Sequence, residues 1–288
     1  MSAANPVPPQ PGMRDVHVPP GGFAYLRSLA ARRAYILEPL ITLTWAAAAT
    51  EIQARQMTSV LGNLWHLLNP LLQIGVYYLI FGVVLGVDRG DDYFAFLSIG
   101  LFMFLFTQRA TIAGANSIAN NKGLLNAFSF PRALLPVTST LTEMFANIGP
   151  FLVMFLIAVL SGVTPDVRWL FFAPLVVVQM VFNIGASLVA ARAGSTVRDF
   201  SNLLPFVFRI LLYGSGVLFD VERYVDDASY GWIFDLNPVY CVVTLARWSI
   251  LGGDFQAGLA VVLAGWTVAI GVAGLAWFRA GEGNYGRE

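Results

Sequence analysis

The chain has 288 residues, of which 57% are hydrophobic and only 12% are charged. Soluble domains carry about 25% charged residues, so this composition excludes an ordinary soluble domain and indicates an integral membrane protein. The formal net charge is +0, and no basic patch alternates with aromatic residues, which argues against nucleic-acid binding. One cysteine, Cys241, and two histidines, His17 and His66, supply neither a disulfide nor a zinc-ligand spacing, so we expect no metal site.

The amino-terminal region differs in composition from the rest of the chain. Residues 1–22 hold six of the fifteen prolines and no apolar run of signal-peptide type, which predicts a disordered cytoplasmic tail. Residues 23–66 mix arginines with apolar stretches that are shorter than the roughly 20 residues a membrane span needs. They predict amphipathic helices that lie at the membrane surface.

The remaining chain predicts an all-α polytopic membrane protein with six spans of about 17–25 residues each. The expected transmembrane domain, residues 67–280, comprises spans at 67–87, 94–118, 142–163, 169–191, 203–219 and 256–278, followed by a tail at 281–288. Between the last two spans, Trp232–Leu251 is apolar but contains Asp235 and Arg247. Burying each charge in a full span would cost about 2.5–3.5 kcal/mol. We therefore expect two short, half-inserted helices joined by a turn at Asn237-Pro238.

Basic residues predict the orientation of the spans. With both termini in the cytoplasm of a bacterial plasma membrane, eleven Arg and Lys face inside and four face outside, as the positive-inside rule requires. The inside set is Arg14, Arg27, Arg32, Arg33, Arg55, Lys122, Arg132, Arg192, Arg198, Arg279 and Arg287, and the outside set is Arg89, Arg168, Arg223 and Arg247. Arg109 falls in the second span and Arg209 near the cytoplasmic start of the fifth. Each is either an interfacial anchor or part of a polar pathway.

The chain has no motif for binding a nucleotide. A P-loop ends in Gly-Lys-Ser/Thr, whereas Lys122 lies between Asn121 and Gly123. Export driven by ATP would therefore require a separate subunit that docks on cytoplasmic loops.

The loop after the second span is the best docking candidate. Leu124, Leu125 and Phe128 have helical spacing, which predicts a short helix with an apolar stripe facing the cytosol. Pro131 is expected to end this helix, and Lys122 and Arg132 would border the stripe. The same pattern is also satisfied by a helix that rests on the bilayer.

Two stretches resemble one family of membrane proteins. The stretch from Arg55 to Leu72, RQMTSVLGNLWHLLNPLL, resembles the segment before the first span of permease subunits of type-two ABC exporters for polysaccharides, such as O-antigen, teichoic acid and cell-wall galactan. In that family an Arg, a Ser-x-Leu-Gly-x-Leu-Trp and an Asn/Gln-Pro-Leu recur in this order. The stretch from Asn121 to Arg132 resembles the family's coupling helix, which contacts the ATPase.

The resemblance implies a homodimer with two copies of an ABC ATPase, a lipid-linked polysaccharide as cargo and surrounding membrane lipids. ATP and magnesium would bind the partner, and this chain would hold no cofactor and no catalytic residue. The implied coupling residues are Asn121, Lys122, Gly123, Leu124, Leu125, Phe128, Phe130, Pro131 and Arg132. The implied gate helix, at the mouth of the path, includes Arg55, Ser59, Gly62, Trp65 and His66. Pro70 is expected within the first turn of the first span.

Aromatic residues are dense in the first, second and fifth spans. Sugar C–H faces stack on aromatic rings, so such residues suit a glycan channel. The alternative is that the rings face lipid or pack between helices. The expected channel aromatics are Tyr77, Tyr78, Phe81, Phe206 and Tyr213.

Three other functions have weaker support. An ion-coupled secondary transporter needs midplane carboxylates, and only Glu143, at the expected start of the third span, comes near a span interior. A glycosyltransferase needs a carboxylate cluster, whereas the adjacent residues Asp91-Asp92 and Asp226-Asp227 point apart. A type-two ABC exporter of drugs or other lipids would share the fold. The use of Arg for sixteen of seventeen basic residues indicates a GC-rich bacterium and suggests galactan as cargo.

Overall fold

The computed structural model describes residues 64–84, 92–127, 130–197, 199–221 and 230–281. In these ranges the chain consists of helices joined by turns and irregular connections. The α-helices are α1 (Leu64–Tyr77), α2 (Tyr93–Asn120), α3 (Lys122–Ala127), α4 (Leu134–Ala146), α5 (Ile148–Leu160), α6 (Phe172–Thr196), α7 (Phe200–Gly214), α8 (Gly231–Asp235), α9 (Pro238–Leu251) and α10 (Ala257–Ala280). A π-helical segment, Tyr78–Val84, continues α1, and a 3₁₀ segment, Val167–Phe171, leads into α6.

The chain is an all-α polytopic membrane protein. Five stretches in the described residues are long and apolar enough to cross a membrane, namely Leu67–Val84, Tyr93–Asn120, Leu134–Leu160, Val167–Thr196 and Ala257–Ala280. The expected fifth span corresponds to α7, which has 15 residues and ends at Gly214 rather than at residue 219. Thus α7 is shorter than the other five spans. We call the end of the bundle where α1 starts the near end and the opposite end the far end.

Several predictions fall outside the described residues. These are the tail at 1–22, the surface helices up to residue 63 with Arg55, Ser59 and Gly62, Phe128 of the coupling loop, and the tail from residue 282.

The expected boundary of the third span was wrong. The span begins at Leu134 rather than at residue 142, and it is divided at Asn147 into α4 and α5. Pro150 explains the division, because it has no N–H to donate to the carbonyl of Ala146 and so interrupts the helical hydrogen bonds. Glu143 is consequently the tenth residue of α4 and is buried, not at the start of the span.

Pro70 is the fourth residue of the apolar span that begins at Leu67, as expected, but the expectation that it lies at a helix start was wrong. Helix α1 begins at Leu64, so Pro70 is its seventh residue and lies beyond the first turn. Hydropathy marks where the lipid begins, whereas backbone hydrogen bonds decide where a helix begins. The helix therefore extends past the apolar segment into the more polar Leu-Trp-His sequence.

Helix α2 forms the centre of the bundle. Phe102, Phe104 and Phe106 are almost fully buried. Because residues two positions apart point to different sides of a helix, their burial shows that α2 is enclosed by other helices. Polar side chains tie α2 to α6. The Nε2 atom of Gln179 donates to the carbonyl of Met103 at 2.8 Å, and the hydroxyl of Ser187 donates to a second α2 carbonyl at 2.9 Å. Such bonds satisfy polar groups that lipid could not solvate.

Helices α6 and α10 cross at a close approach. A Cβ atom on Gly185 would lie 2.8 Å from the backbone nitrogen of Gly271, and one on Gly274 would lie 2.6 Å from the carbonyl oxygen of Gly185. Small residues at a crossing let two backbones approach closely, which is a common way to pack helices in membranes.

The expected pair of short helices before the last span is present as α8 and α9. Asn237 joins them, because its Oδ1 accepts from the backbone N–H of Val239 at 3.0 Å and so caps α9. Its Nδ2 donates to the hydroxyl of Ser215 at 2.9 Å, beyond the end of α7. Half-insertion of the two helices into the membrane stays a prediction.

Arg247, which was expected on the outer side within the half-inserted segment, lies on α9 and is buried. Its Nη1 and Nη2 donate to the carbonyls of Gly216 and Val217 at 2.8 and 2.7 Å, and its Nε donates to the carbonyl of Phe96 at 3.3 Å. The guanidinium carbon also lies 3.4 Å from the centre of the Phe96 ring. These contacts offset the cost of burying the charge.

The connection into the fourth span is tied to the end of α9. Arg168 donates to the carboxylate of Asp166 at 2.7 Å, and Trp169 donates to the carbonyl of Ile250 at 3.1 Å. The Arg168 guanidinium and then the Val167 amide hold the pKa of Asp166 below its usual range. Gly252 has a positive φ of 93°, and any larger residue there would also meet the Arg168 side chain.

Candidate functional site

An open polar cleft lies between the first three spans and has a volume of about 650 Å³. Asn69 and Gln73 line it from α1, Gln108 and Arg109 from α2, and Glu143 from α4. The remaining lining residues are Trp65, Leu105, Ile112 and Ala113. Arg109 and Glu143 interact electrostatically, so the cleft contains a charge that is balanced by its neighbour.

The cleft reaches well into the membrane region. Glu143 lies nine residues after the near end of α4, and Gln73 lies nine residues after the start of α1. With a rise of 1.5 Å per residue, both lie about 14 Å from the near end. Amide and charged side chains at this depth avoid lipid and mark polar paths or binding sites.

A row of polar and aromatic residues continues from the cleft along α1. Trp65, Asn69, Gln73 and Tyr77 are spaced by four residues, which places them on one side of the helix. Trp65, Asn69 and Gln73 are exposed and Tyr77 is half-buried. The hydroxyl of Tyr77 interacts electrostatically with Tyr213 and Arg209, so the row leads to α7.

Helix α7 carries a matching stripe. Asn202, Phe206, Arg209 and Tyr213 are all exposed and follow one another at intervals of three or four residues. The guanidinium carbon of Arg209 lies 5.9 Å from the centre of the Phe206 ring, a cation–π contact. The opposite side of α7, with Leu204, Phe208 and Leu212, is buried in the bundle. We call Asn202, Phe206, Arg209 and Tyr213 the α7 stripe.

The α7 stripe does not suit contact with lipid. Arg209 is the tenth residue of α7, which puts its Cα about 14 Å from the start of the helix. This corrects the expectation that Arg209 lies near the start of the fifth span. A charge at the centre of a membrane helix costs about 2.5–3.5 kcal/mol when it faces lipid. An exposed arginine between Asn202 and Tyr213 therefore indicates a surface that faces water or a polar partner.

The expected channel aromatics fall into two groups. Phe206 and Tyr213 are 62% and 50% exposed on the α7 stripe, and Tyr77 interacts electrostatically with Tyr213. Tyr78 instead contacts the start of α2, with its ring 6.1 Å from that of Tyr93 and 5.2 Å from that of Phe94, and Phe81 packs against the core. The structure thus places Tyr77 near Tyr213, and it places Tyr78 and Phe81 against other parts of the bundle.

Those of the expected coupling residues that the structure describes lie at the near end. Asn121 ends α2, and α3 follows as a helix of six residues. Lys122, Gly123 and Pro131 are exposed, whereas Phe130 and Arg132 are half-buried. Leu124 lies in α3. Leu125 packs against a small cluster of Ile118, Leu188, Ala191 and Phe278, so it does not face solvent as fully as expected.

Of the expected gate residues, Trp65 and His66 lie in the first turn of α1, and Trp65 is exposed at the mouth of the cleft.

Sequence reasoning missed most of the cleft. Asn69 and Gln73 were not singled out, although their spacing of four from Trp65 and Tyr77 is visible in the sequence. Gln108 and the pairing of Arg109 with Glu143 could not be found in this way. They depend on how α2 and α4 pack, which no local pattern encodes.

Comparisons with known proteins agree with this architecture. The sequence profile described as ABC-2 type transporter matches residues 42–251. A relative named O-antigen export system permease protein RfbA, from Klebsiella pneumoniae, is 25% identical over 248 residues, which is 85% of this chain and 92% of the relative. A protein with the same name from Myxococcus xanthus is 26% identical over 67% of this chain and 74% of its own length.

A third relative, polysialic acid transport protein KpsM from Escherichia coli, is 25% identical over 238 residues, which is 81% of this chain and 90% of the relative. The family profile extends from before α1 to the end of α9 and covers more than half of the sequence. The protein therefore belongs to the ABC-2 type transporter family.

Proposed function

We propose that this protein is the membrane permease of an ATP-driven exporter that moves a lipid-linked polysaccharide from the cytoplasmic to the outer side of a bacterial plasma membrane. The lipid is a polyprenyl diphosphate, and O-antigen-like glycans or cell-wall galactan are the cargo. The near end of the bundle faces the cytoplasm, and both termini are cytoplasmic. Arg55 is a candidate contact for the diphosphate.

The observation that carries this proposal is the row of polar and aromatic residues on α1 together with the α7 stripe, because Tyr77 of the row interacts with Tyr213 and Arg209 of the stripe. Tyr77, Phe206 and Tyr213 present rings on which sugar faces can stack. Asn69 and Gln73 supply amides that can exchange hydrogen bonds with sugar hydroxyls. The names of the three relatives, which refer to O-antigen and polysialic acid, favour the same class of cargo.

A homodimer accounts for the exposure of this surface. A second copy facing the α7 stripe would separate Arg209 from lipid and enclose a path between two identical surfaces. Symmetric pairs of this kind are the commonest arrangement of identical chains. The cargo would then pass between the two copies.

Energy comes from two copies of a separate ABC ATPase, which binds ATP and magnesium. The ATPase docks at the near end on the segment from Asn121 to Arg132. Closure of the ATPase dimer pushes on this segment and opens the path between the permease copies. This chain contributes the passage and no chemical step.

Depletion of the protein in its own host tests the proposal. Cells are labelled with radioactive sugar precursors during depletion, and lipid-linked saccharides are extracted. One polyprenyl-linked glycan should accumulate on the cytoplasmic side while the corresponding surface polysaccharide falls. An unchanged lipid-linked pool with normal surface polysaccharide would overturn the proposal in favour of an exporter of drugs or other lipids.

A further inference from the structure

Arg209 carries a positive charge that no carboxylate balances within the described ranges of the chain. It forms no salt bridge with any carboxylate in the part of the chain that the structure describes. The nearest contacts of its charge are the ring of Phe206 and the interaction with Tyr77. Asp199, the acidic residue next to α7, precedes the first turn of the helix and lies ten residues away from Arg209.

Arg109 provides a contrast on the same surface. It lines the cleft with Glu143, and the two side chains interact, so their charges offset one another. A path that needed only to be hydrated could be lined by such balanced pairs or by amide side chains. The exposed arginine of the α7 stripe instead gives the path a positive potential at one point.

The neighbours of Arg209 are suited to holding an anion. A guanidinium presents a planar fork of N–H donors that matches a phosphate or carboxylate with two parallel hydrogen bonds. Tyr77 interacts electrostatically with both Tyr213 and Arg209, and a tyrosine hydroxyl can donate a hydrogen bond to an anion. The Phe206 ring supports the guanidinium by its cation–π contact.

We propose that Arg209, with Tyr77 and Tyr213, forms a site for an anionic group of the cargo, a phosphate or a carboxylate, as the cargo passes α7. The inference rests on the proposed function, since it assumes that the α7 stripe lines the export path. The anionic group belongs either to the lipid diphosphate or to acidic sugars of the glycan. Arg209 thus selects for charged over neutral cargo.

Binding of three defined probes to the full-length permease in nanodiscs tests this site. The probes are farnesyl diphosphate for the lipid phosphate, oligogalacturonate for an acidic glycan and maltohexaose for a neutral glycan. The variants are Arg209→Gln, which removes the charge, and Arg209→Lys, which keeps the charge without the planar fork. Arg279→Gln is the matched control, because Arg279 is an exposed arginine in the last turn of α10, away from the stripe.

Arg209→Gln should weaken binding of at least one anionic probe by about tenfold, as loss of one charge-assisted hydrogen-bonded contact predicts. Arg209→Lys should weaken binding of the anionic probes less than Arg209→Gln does. Neither variant should change maltohexaose binding. The control should bind every probe like the parent. Loss confined to farnesyl diphosphate assigns the site to the lipid anchor, and loss confined to oligogalacturonate assigns it to the glycan.

Equal binding of both anionic probes by the parent and Arg209→Gln, or no binding of either by the parent, would overturn the site. The proposed function fails separately, through an unchanged lipid-linked pool after depletion of the protein. Maltohexaose binding by the parent, together with equal binding of both anionic probes by the parent and Arg209→Gln, would leave the export path intact and remove only the anion site.

Discussion

Arg247 shows how one residue can organise the far end of the bundle. Its guanidinium joins α9 to the backbone after α7 and to the start of α2, through carbonyls that lie up to 151 residues away in the sequence. Gly100 makes room for it, because a Cβ atom there would lie 2.6 Å from Nη2. Arg247, a charged residue that interrupts the apolar segment Trp232–Leu251 in the sequence, therefore fixes the position of that segment in the fold.

Replacement of Arg247 should destabilise the fold. Arg247→Gln removes hydrogen bonds to buried carbonyls and leaves some of them unsatisfied, so the free energy of unfolding should fall by about 3 kcal/mol. Arg247→Lys should lower the free energy of unfolding by less, because the charge remains although the planar fork is absent. Unfolding of the purified protein in mixed detergent and dodecyl sulfate measures the change.

Arg279→Gln is the control for this series. Arg279 is exposed in the last turn of α10, where removing a charge should alter stability by no more than about 1 kcal/mol. Equal effects at positions 247 and 279 would show that the buried contacts of Arg247 contribute little.

At the scale of helices, the crossing of α6 and α10 depends on the absence of side chains. Gly185→Ala should destabilise the protein by about 1–3 kcal/mol, because the new methyl group meets the backbone of Ile270 and Gly271, which cannot rotate away. Gly265→Ala on α10 is the matched control, since a Cβ atom there meets nothing within 4 Å. The same detergent titration should show a loss for Gly185→Ala alone.

The short helix α3 offers a test of ATPase docking that does not disturb the fold. Leu125 packs against the bundle, so replacing it would affect the stability of the fold as well as docking of the ATPase. Gly123 is exposed, and a Cβ atom there meets nothing within 4 Å. Gly123→Trp should therefore leave the permease folded while blocking a partner groove, and co-purification with a tagged ATPase should fall at least about tenfold.

Gly258→Trp controls for the bulk of the tryptophan. Gly258 is equally exposed with open space around it, but it lies at the start of α10, at the far end. ATPase recovery should stay at the parent level for this variant. Normal recovery for Gly123→Trp would remove α3 from the docking surface.

At the scale of the whole molecule, the sequence predicted the class of fold and the number of apolar segments better than it predicted the site. Hydropathy reports where lipid surrounds the chain, so the spans were found to within a few residues at most boundaries. The start of the third span and the place of Pro70 were missed, because hydrogen bonding and proline set helix limits independently of hydropathy.

The site was predicted only where it follows a local pattern. Tyr77, Phe206 and Tyr213 were selected from aromatic density, and the structure puts Phe206 and Tyr213 on one exposed side of α7, with Tyr77 near Tyr213; their role in a channel stays a prediction. The pairing of Arg109 with Glu143 required the packing of α2 against α4, which sequence spacing does not determine. Arg209 was left open between an interfacial anchor and a polar pathway, and it was expected near the start of the fifth span because that span was expected to begin at residue 203 rather than at Phe200.

The proposed homodimer makes a prediction for the whole assembly. Ile210 lies on the exposed side of α7 next to the stripe and is 74% exposed. Val261 is 71% exposed but lies on a different helix, α10. If a second copy covers the stripe, Ile210→Cys should crosslink between copies in membranes and Val261→Cys should not, because only lipid covers α10 there. Cys241 is buried and is replaced by Ala in both proteins to leave one thiol. Equal crosslinking of the two variants, or none with Ile210→Cys, would show that α7 does not face a second copy, and the charge of Arg209 would then need another partner in the membrane.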